Sequence, residues 1–167
     1  MTLDDPTNRD HLKARIGSAF SPMHFDPQEF EEEAYPDEVH DCIEYLSRGT
    51  SPSEDAAFFG TRSHCITFCS PRLLRHLLPR LLPLVVSEDA DRDAFLRNLF
   101  HRLNPEDYAE KYFREQSSEE LATLLSDEQK RVVADVLLFC IWDPQVDRAD
   151  VWDAVIGLRM NWARYWY

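Results

Sequence analysis

The sequence predicts an all-α fold: one domain built as an irregular bundle of about six to eight helices, ending in a long apolar C-terminal helix. Three observations carry this. Glycine is scarce, with four in 167 residues, and no run of alternating β-branched residues occurs. Apolar side chains recur at i, i+3, i+4 and i+7, the helical period. Helix-start signals (a small polar residue before Pro, or three before Glu or Gln) recur along the chain. With 44% apolar residues, including four Trp, six Tyr and ten Phe, the chain can bury a core, and disorder is not the expectation. The domain spans 1–167, with an acidic N-terminal third (1–60) and a helical core (61–167).

The elements follow in order. A first helix covers Asn8 to Phe20, with Leu12, Ile16 and Ala19 inward. Ser21 to Tyr35 is a Pro-flanked acidic connection with a short helix near Pro27 to Glu33. Pro36 suits the first turn of a helix reaching Ser47 and stopped by Gly49. There Val39, Cys42, Ile43 and Leu46 form one apolar stripe. Asp37, Asp41 and Glu44 face away from it, with Glu38 and Tyr45 beside them. Thr50 to Arg62 reads as a loop with a short helical turn. His64 to Cys69 is the one stretch with the look of a short strand. Ser70-Pro71 opens a helix carrying Leu73, Leu74, Leu77, Leu78, Leu81, Leu82 and Val85, with a kink or break expected at Pro79. Ser87 restarts a helix through Leu103. Asn104-Pro105 begins another with Tyr108, Tyr112 and Phe113. Ser117 with Glu120 and Ser126 with Gln129 fit the capping box, the second opening a helix to Trp142. The last helix, Asp147 to Trp166, has two apolar faces: Val151, Val155, Leu158, Trp162 and Trp166 on one, Trp152, Ile156, Met160 and Tyr167 on the other. It is expected either at the centre of the bundle or with its second face on a partner.

Charge is the most informative feature for function. The net charge is −13, and residues 26–44 hold nine acids with no Lys or Arg: Asp26, Glu29, Glu31, Glu32, Glu33, Asp37, Glu38, Asp41 and Glu44. A concentrated field of one sign costs stability by self-repulsion and attracts the opposite sign. The chain lacks the clustered Lys and Arg that phosphate contacts need, so direct nucleic-acid binding is not expected, and an anionic membrane would repel it. The N-terminus MTLDDPTNRDHLK has no apolar core of a signal peptide, and Leu77 to Val86 is too short and too interrupted to span a bilayer. The expected compartment is the cytoplasm, with Cys42, Cys65, Cys69 and Cys140 reduced.

Motifs for chemistry are absent. His64, Cys65, Cys69 and His76 are zinc-ligand types, but their spacing matches no finger or ribbon and no CxxC occurs. Glu31-Glu32-Glu33 lacks the alternating ligands and the glycine of an EF-hand. Neither GxGxxG, GxxxxGK[ST] nor GxSxG is present. No catalytic residue, metal or cofactor is therefore expected.

Thr67-Phe68-Cys69-Ser70-Pro71, followed by Leu74, His76, Leu78 and Pro79, resembles a pattern of small acidic bacterial proteins of unknown function. In these an F-x-S/T-P start leads into a helix with a Y/H-x-L-P core. The resemblance covers residues 60–140 and extends to the acidic helical second half and the aromatic C-terminus. In size and acidity such proteins are similar to the immunity proteins encoded beside bacterial toxins. The resemblance implies a non-enzymatic inhibitor and transfers no catalytic residue.

These readings converge on an inhibitor that binds and occludes a basic toxin or effector domain. The expected surface is Asp26, Glu29, Glu31, Glu32, Glu33, Tyr35, Asp37, Glu38, Asp41, Glu44 and Tyr45, with Tyr165 and Tyr167 as a second candidate. Two alternatives share some features. One is a nucleic-acid mimic that blocks a DNA- or RNA-binding protein, as phage anti-defence factors do. The other is a thiol- or metal-dependent hydrolase. Mimicry needs carboxylates along an extended strip, and here they sit at one end of the sequence.

Overall fold

The computed structural model describes residues 8–21, 23–33, 35–49, 51–88, 92–104 and 118–166. Among the described residues there are nine α-helices and no strand: α1 (Arg9–Ala19), α2 (Pro36–Arg48), α3 (Pro52–Thr61), α4 (His64–Phe68), α5 (Pro71–Val85), α6 (Asp93–Leu103), α7 (Ser118–Leu124), α8 (Asp127–Trp142) and α9 (Arg148–Gly157). A 3-10 turn, Pro27–Phe30, lies between α1 and α2. The helix count exceeds the expected range because two stretches read otherwise in the sequence are helical.

The first is α3. Ser51 accepts from the Glu54 backbone N–H while the Glu54 carboxylate takes the Ser51 N–H, a complete capping box with Pro52 in the first turn. The second is α4, in place of the expected strand. Cys65, Ile66 and Cys69 are buried, and α4 packs against α2 and α6. On a strand Ile66 would face opposite to Cys65 and Cys69, whereas on a helix positions i, i+1 and i+4 share one side, so burying all three favours the helix. Arg102 from α6 donates to the Cys69 carbonyl at 2.9 Å and satisfies the chain where α4 ends.

The centre is α5, with Leu73, Leu74, Leu77, Leu78, Leu81 and Leu82 fully buried. It packs on α1, α3, α7 and α8. Each such leucine is worth roughly 1.5–3 kcal/mol as an upper bound. That burial carries the helix unbroken through Pro79 and Pro83, each of which removes one internal hydrogen bond. Ser70 caps it as expected, accepting from the Leu73 N–H at 3.2 Å. Asn8 caps α1, and Ser126 and Gln129 form the capping box of α8. Ser87 lies in a turn after α5, so α6 starts later than the sequence suggests. Asn104 ends α6, and the helix expected from Pro105 onward and Ser117 fall outside the described residues.

The expected long apolar C-terminal helix is not found. The α-helix ends at Gly157, a π turn follows over Leu158–Trp162, and a 3-10 turn over Ala163–Tyr165. The Ala163 N–H reaches back to the Leu158 carbonyl, an i to i+5 bond. Helical period in the sequence does not reveal such a change of winding. Two partners hold the segment where it is. The buried Trp162 indole N–H donates to the Leu103 carbonyl at 2.7 Å, and Asn161 donates to Ser118 Oγ at 2.9 Å. Only one apolar face meets the core, since Trp152 and Met160 of the other are 67% and 59% exposed.

Gly157 lies close against the end of α6. A Cβ there would stand 2.6 Å from Asn104 Oδ1 and 3.6 Å from Leu137 Cδ1. Gly157→Ala is expected to destabilise the protein by about 1–3 kcal/mol, outweighing the ~1 kcal/mol that alanine gains over glycine inside a helix. The urea midpoint checks this. An unchanged midpoint would mean that Asn104 moves aside at no cost.

Candidate functional site

The acidic segment folds into two pieces. Asp26, Glu29, Glu31, Glu32 and Glu33 lie on and around the 3-10 turn, and Asp37, Glu38, Asp41 and Glu44 lie on α2. The apolar stripe of α2 is inward as expected, with Val39 and Cys42 fully buried. That burial orients the acidic side outward.

Five of the nine acids have work within the fold. Asp26 caps the 3-10 turn, accepting from the Gln28 N–H at 3.0 Å. Glu29 pairs with Arg72 at 3.2 Å. Glu33 accepts from the Ser70 backbone N–H at 2.9 Å and from the Ser70 hydroxyl, at the start of α5. Asp41 pairs with Arg62 at 2.9 Å, and Glu44 pairs with Arg48 one turn on. Such exposed pairs add little stability, roughly 0–1 kcal/mol each. They do reduce the charge offered to a partner. Four acids remain: Glu31, Glu32 and Asp37 exposed and Glu38 half-buried, and among the described residues no basic side chain pairs with them. Asp37 and Glu38 occupy the first turn of α2, where the helix dipole favours them, and no side chain caps that helix.

The two tyrosines are set into this surface. Tyr35, half-buried, lies beside Phe68 with ring centroids 5.3 Å apart. Tyr45 stacks on Phe58 at 3.9 Å, donates to Asp55 Oδ1 at 2.7 Å, and has Arg80 over its ring. Tyr45 is thus held in place, and Tyr35 is the nearer of the two tyrosines to the unpaired acids in sequence. Three clefts run along this side of the molecule. One of about 500 Å³ is lined by residues 28–33 with Ser70 and Arg72. One of about 410 Å³ lies between Met23, His24, Phe25 and the Leu46, His76, Pro79 and Arg80 side chains. A third, about 310 Å³, lies between α2 and α3 beside Arg48 and Arg62.

The second candidate surface is less open than its sequence suggests. Tyr165 is half-buried, 5.9 Å from the Trp162 ring, with Lys130 and Arg164 over its face at 4.9 and 5.1 Å. Tyr167 lies outside the described residues. Trp142, which reads as the apolar end of α8, is instead 65% exposed. The sequence carries no signal for that, since an exposed and a buried tryptophan at a helix end look alike.

The possible zinc ligands are not gathered. His64 is exposed. Cys65 Sγ lies 3.5 Å from the Glu38 carbonyl and 4.0 Å from His64 Nε2. Cys69 donates to the Ile66 carbonyl, and His76 packs against Phe25 and Phe30. Among the described residues no three of His, Cys, Asp and Glu stand where they could hold a metal ion. Burial pushes the Cys69 and Cys140 thiols up to about 12, and a hydrogen bond with Cys65 followed by burial pushes Cys42 up. The thiolate form is thereby disfavoured at all three.

The fold and this surface define an all-helical protein with an outward acidic ridge. Among the described residues no helix is long and apolar enough to cross a membrane. Comparison with protein-family models, curated proteins and solved structures finds no match to the chain.

Proposed function

We propose that this chain is a binding protein of the immunity type, which occludes the positively charged active-site surround of a basic toxin or effector domain. The observation that carries the reading is the set Glu31, Glu32, Asp37 and Glu38, presented just after the 3-10 turn Pro27–Phe30 and on the first turn of α2, with no base paired with them among the described residues. Their field steers a basic partner into contact, and Tyr35 between them supplies buried area once contact is made. Neutralisation follows from coverage, with no chemical step.

The test compares two charge-reversal variants against a partner captured from the native organism. Lysine at Glu31, Glu32, Asp37 and Glu38 is expected to cut the association rate by about 10- to 1,000-fold at low salt. Reversal of the internally paired Glu29 and Glu44 has a smaller effect. The wild-type rate should fall steeply with salt. Unchanged association by the four-lysine variant would rule the ridge out as the docking surface.

A further inference from the structure

Residues 23–33 form a strap running antiparallel to the exposed side of α5. Glu33 holds its end at Ser70, and Glu29 and Phe30 meet Arg72. Phe25 and Phe30 meet His76, and Met23 and His24 lie across a cleft from Pro79 and Arg80. The middle attachment is a cluster of three rings. Phe25 stacks on Phe30 at 5.2 Å, and both stand edge-on to His76 at 5.3 and 5.6 Å. Its only titratable member is the half-buried imidazole.

We propose that this strap is a pH-sensitive latch, closed on α5 around a neutral His76 and loosened when His76 takes up a proton. A neutral imidazole packs against two phenyl rings at small desolvation cost, and an imidazolium in the same place loses water. The charged groups facing it do not compensate. On α5 they are Arg72, Arg75 and, farther along, Arg80, which is engaged by Asp55. On the strap they are Glu29, which already pairs with Arg72, and His24 across the cleft. Burial first, then Arg75, hold His76 below its ordinary value. Glu29 pulls the other way, and Arg72 adds to the depression.

The sign follows. A histidine depressed in the closed state binds protons better when the strap is open. The latch is therefore fully closed above about pH 6.5 and loses hold as pH falls through that value. If the closed form refuses the proton, the open fraction rises by about tenfold at pH 5.5 relative to pH 7.5. Opening displaces Glu29, Glu31 and Glu32, so acidification would remodel the ridge whatever it binds.

Hydrogen exchange on the full chain, corrected for the intrinsic effect of pH, tests this. The Ser70 amide, bonded to Glu33 across the contact between strap and α5, reports the strap, and the amides of α8 report global opening. Strap opening is expected to rise by up to about tenfold at pH 5.5, with α8 unchanged. His76→Gln, uncharged throughout, should abolish the rise, and His24→Gln should keep it. A pH-independent strap, a rise that persists in His76→Gln, or an equal rise in α8 would overturn the proposal. Should His76→Gln not fold, NMR titration of His76 in the wild-type chain decides. A midpoint at or above the ordinary histidine value would overturn the latch.

Discussion

Replacing Asp143 by alanine is expected to destabilise the protein by about 3–5 kcal/mol, more than any exposed ion-pair variant. Asp143 follows α8, and its side chain is 1% exposed. Its Oδ2 accepts from Arg92 at 2.7 Å and from Arg9 at 3.2 Å, and its Oδ1 accepts from the Gln145 N–H at 3.0 Å. Arg92, itself 6% exposed, also donates to the Val85 carbonyl at 2.9 Å, and Arg9 to the Val86 carbonyl at 3.2 Å. One carboxylate thereby ties α1, the end of α5, the start of α6 and the α8–α9 connection. Removing it leaves a buried guanidinium with no counter-charge, and that uncompensated charge is the source of the cost. Asp143→Asn keeps an acceptor and loses the charge, so it should fall between alanine and wild type. Chemical denaturation followed by circular dichroism measures both. A loss under about 1 kcal/mol in the alanine variant would mean that Arg92 and Arg9 find water or other partners.

The same group shapes the response to acid. Burial alone would raise the Asp143 pKa. The Arg92 hydrogen bond, the Gln145 N–H and the charges of Arg92 and Arg9 together hold it below the ordinary carboxylate range. A depressed folded value means that its stabilisation is fully present above about pH 3.9 and is lost as pH falls through that lower value. The gap in stability between wild type and Asp143→Ala should accordingly be constant at neutral pH and close only in strong acid.

Trp162→Ala is expected to cost about 3–5 kcal/mol. Trp162 is fully buried, and its indole donates to the Leu103 carbonyl at the end of α6. Alanine removes the packing and the donor together. Trp162→Phe separates the two, since a phenyl ring fills most of the space and leaves the Leu103 carbonyl unpaired, costing about 1–3 kcal/mol. If both variants unfold at the same denaturant concentration, the hydrogen bond outweighs the packing. If neither shifts the midpoint, the turn after Gly157 is not joined to the core.

Much of the architecture is legible from local pattern. Ser70-Pro71, Ser126 with Gln129, and the stripe Val39, Cys42, Ile43, Leu46 are signals whose physics is complete within about eight residues. The structure bears them out in the capped α5 and α8 and the inward stripe of α2. Ser51-Pro52 with Glu54 is an equally local signal for α3, hidden behind the polar loop-like composition around it. Winding at the C-terminus is not legible. Gly157 beside Asn104 and Trp162 beneath Leu103 are contacts more than fifty residues apart, and no periodicity encodes them.

The acidic ridge divides along the same line. Its position, its sign and the outward orientation of α2 were determined by the sequence alone, because nine acids crowd residues 26–44 and an apolar stripe must turn inward. Which acids stay available was decided by the tertiary structure. Arg62 and Arg72 lie far from Asp41 and Glu29 in the chain and meet them only once the end of α3 has come beside α2 and the 3-10 turn beside α5. Charge is a property of residue types, whereas pairing depends on distances that folding sets.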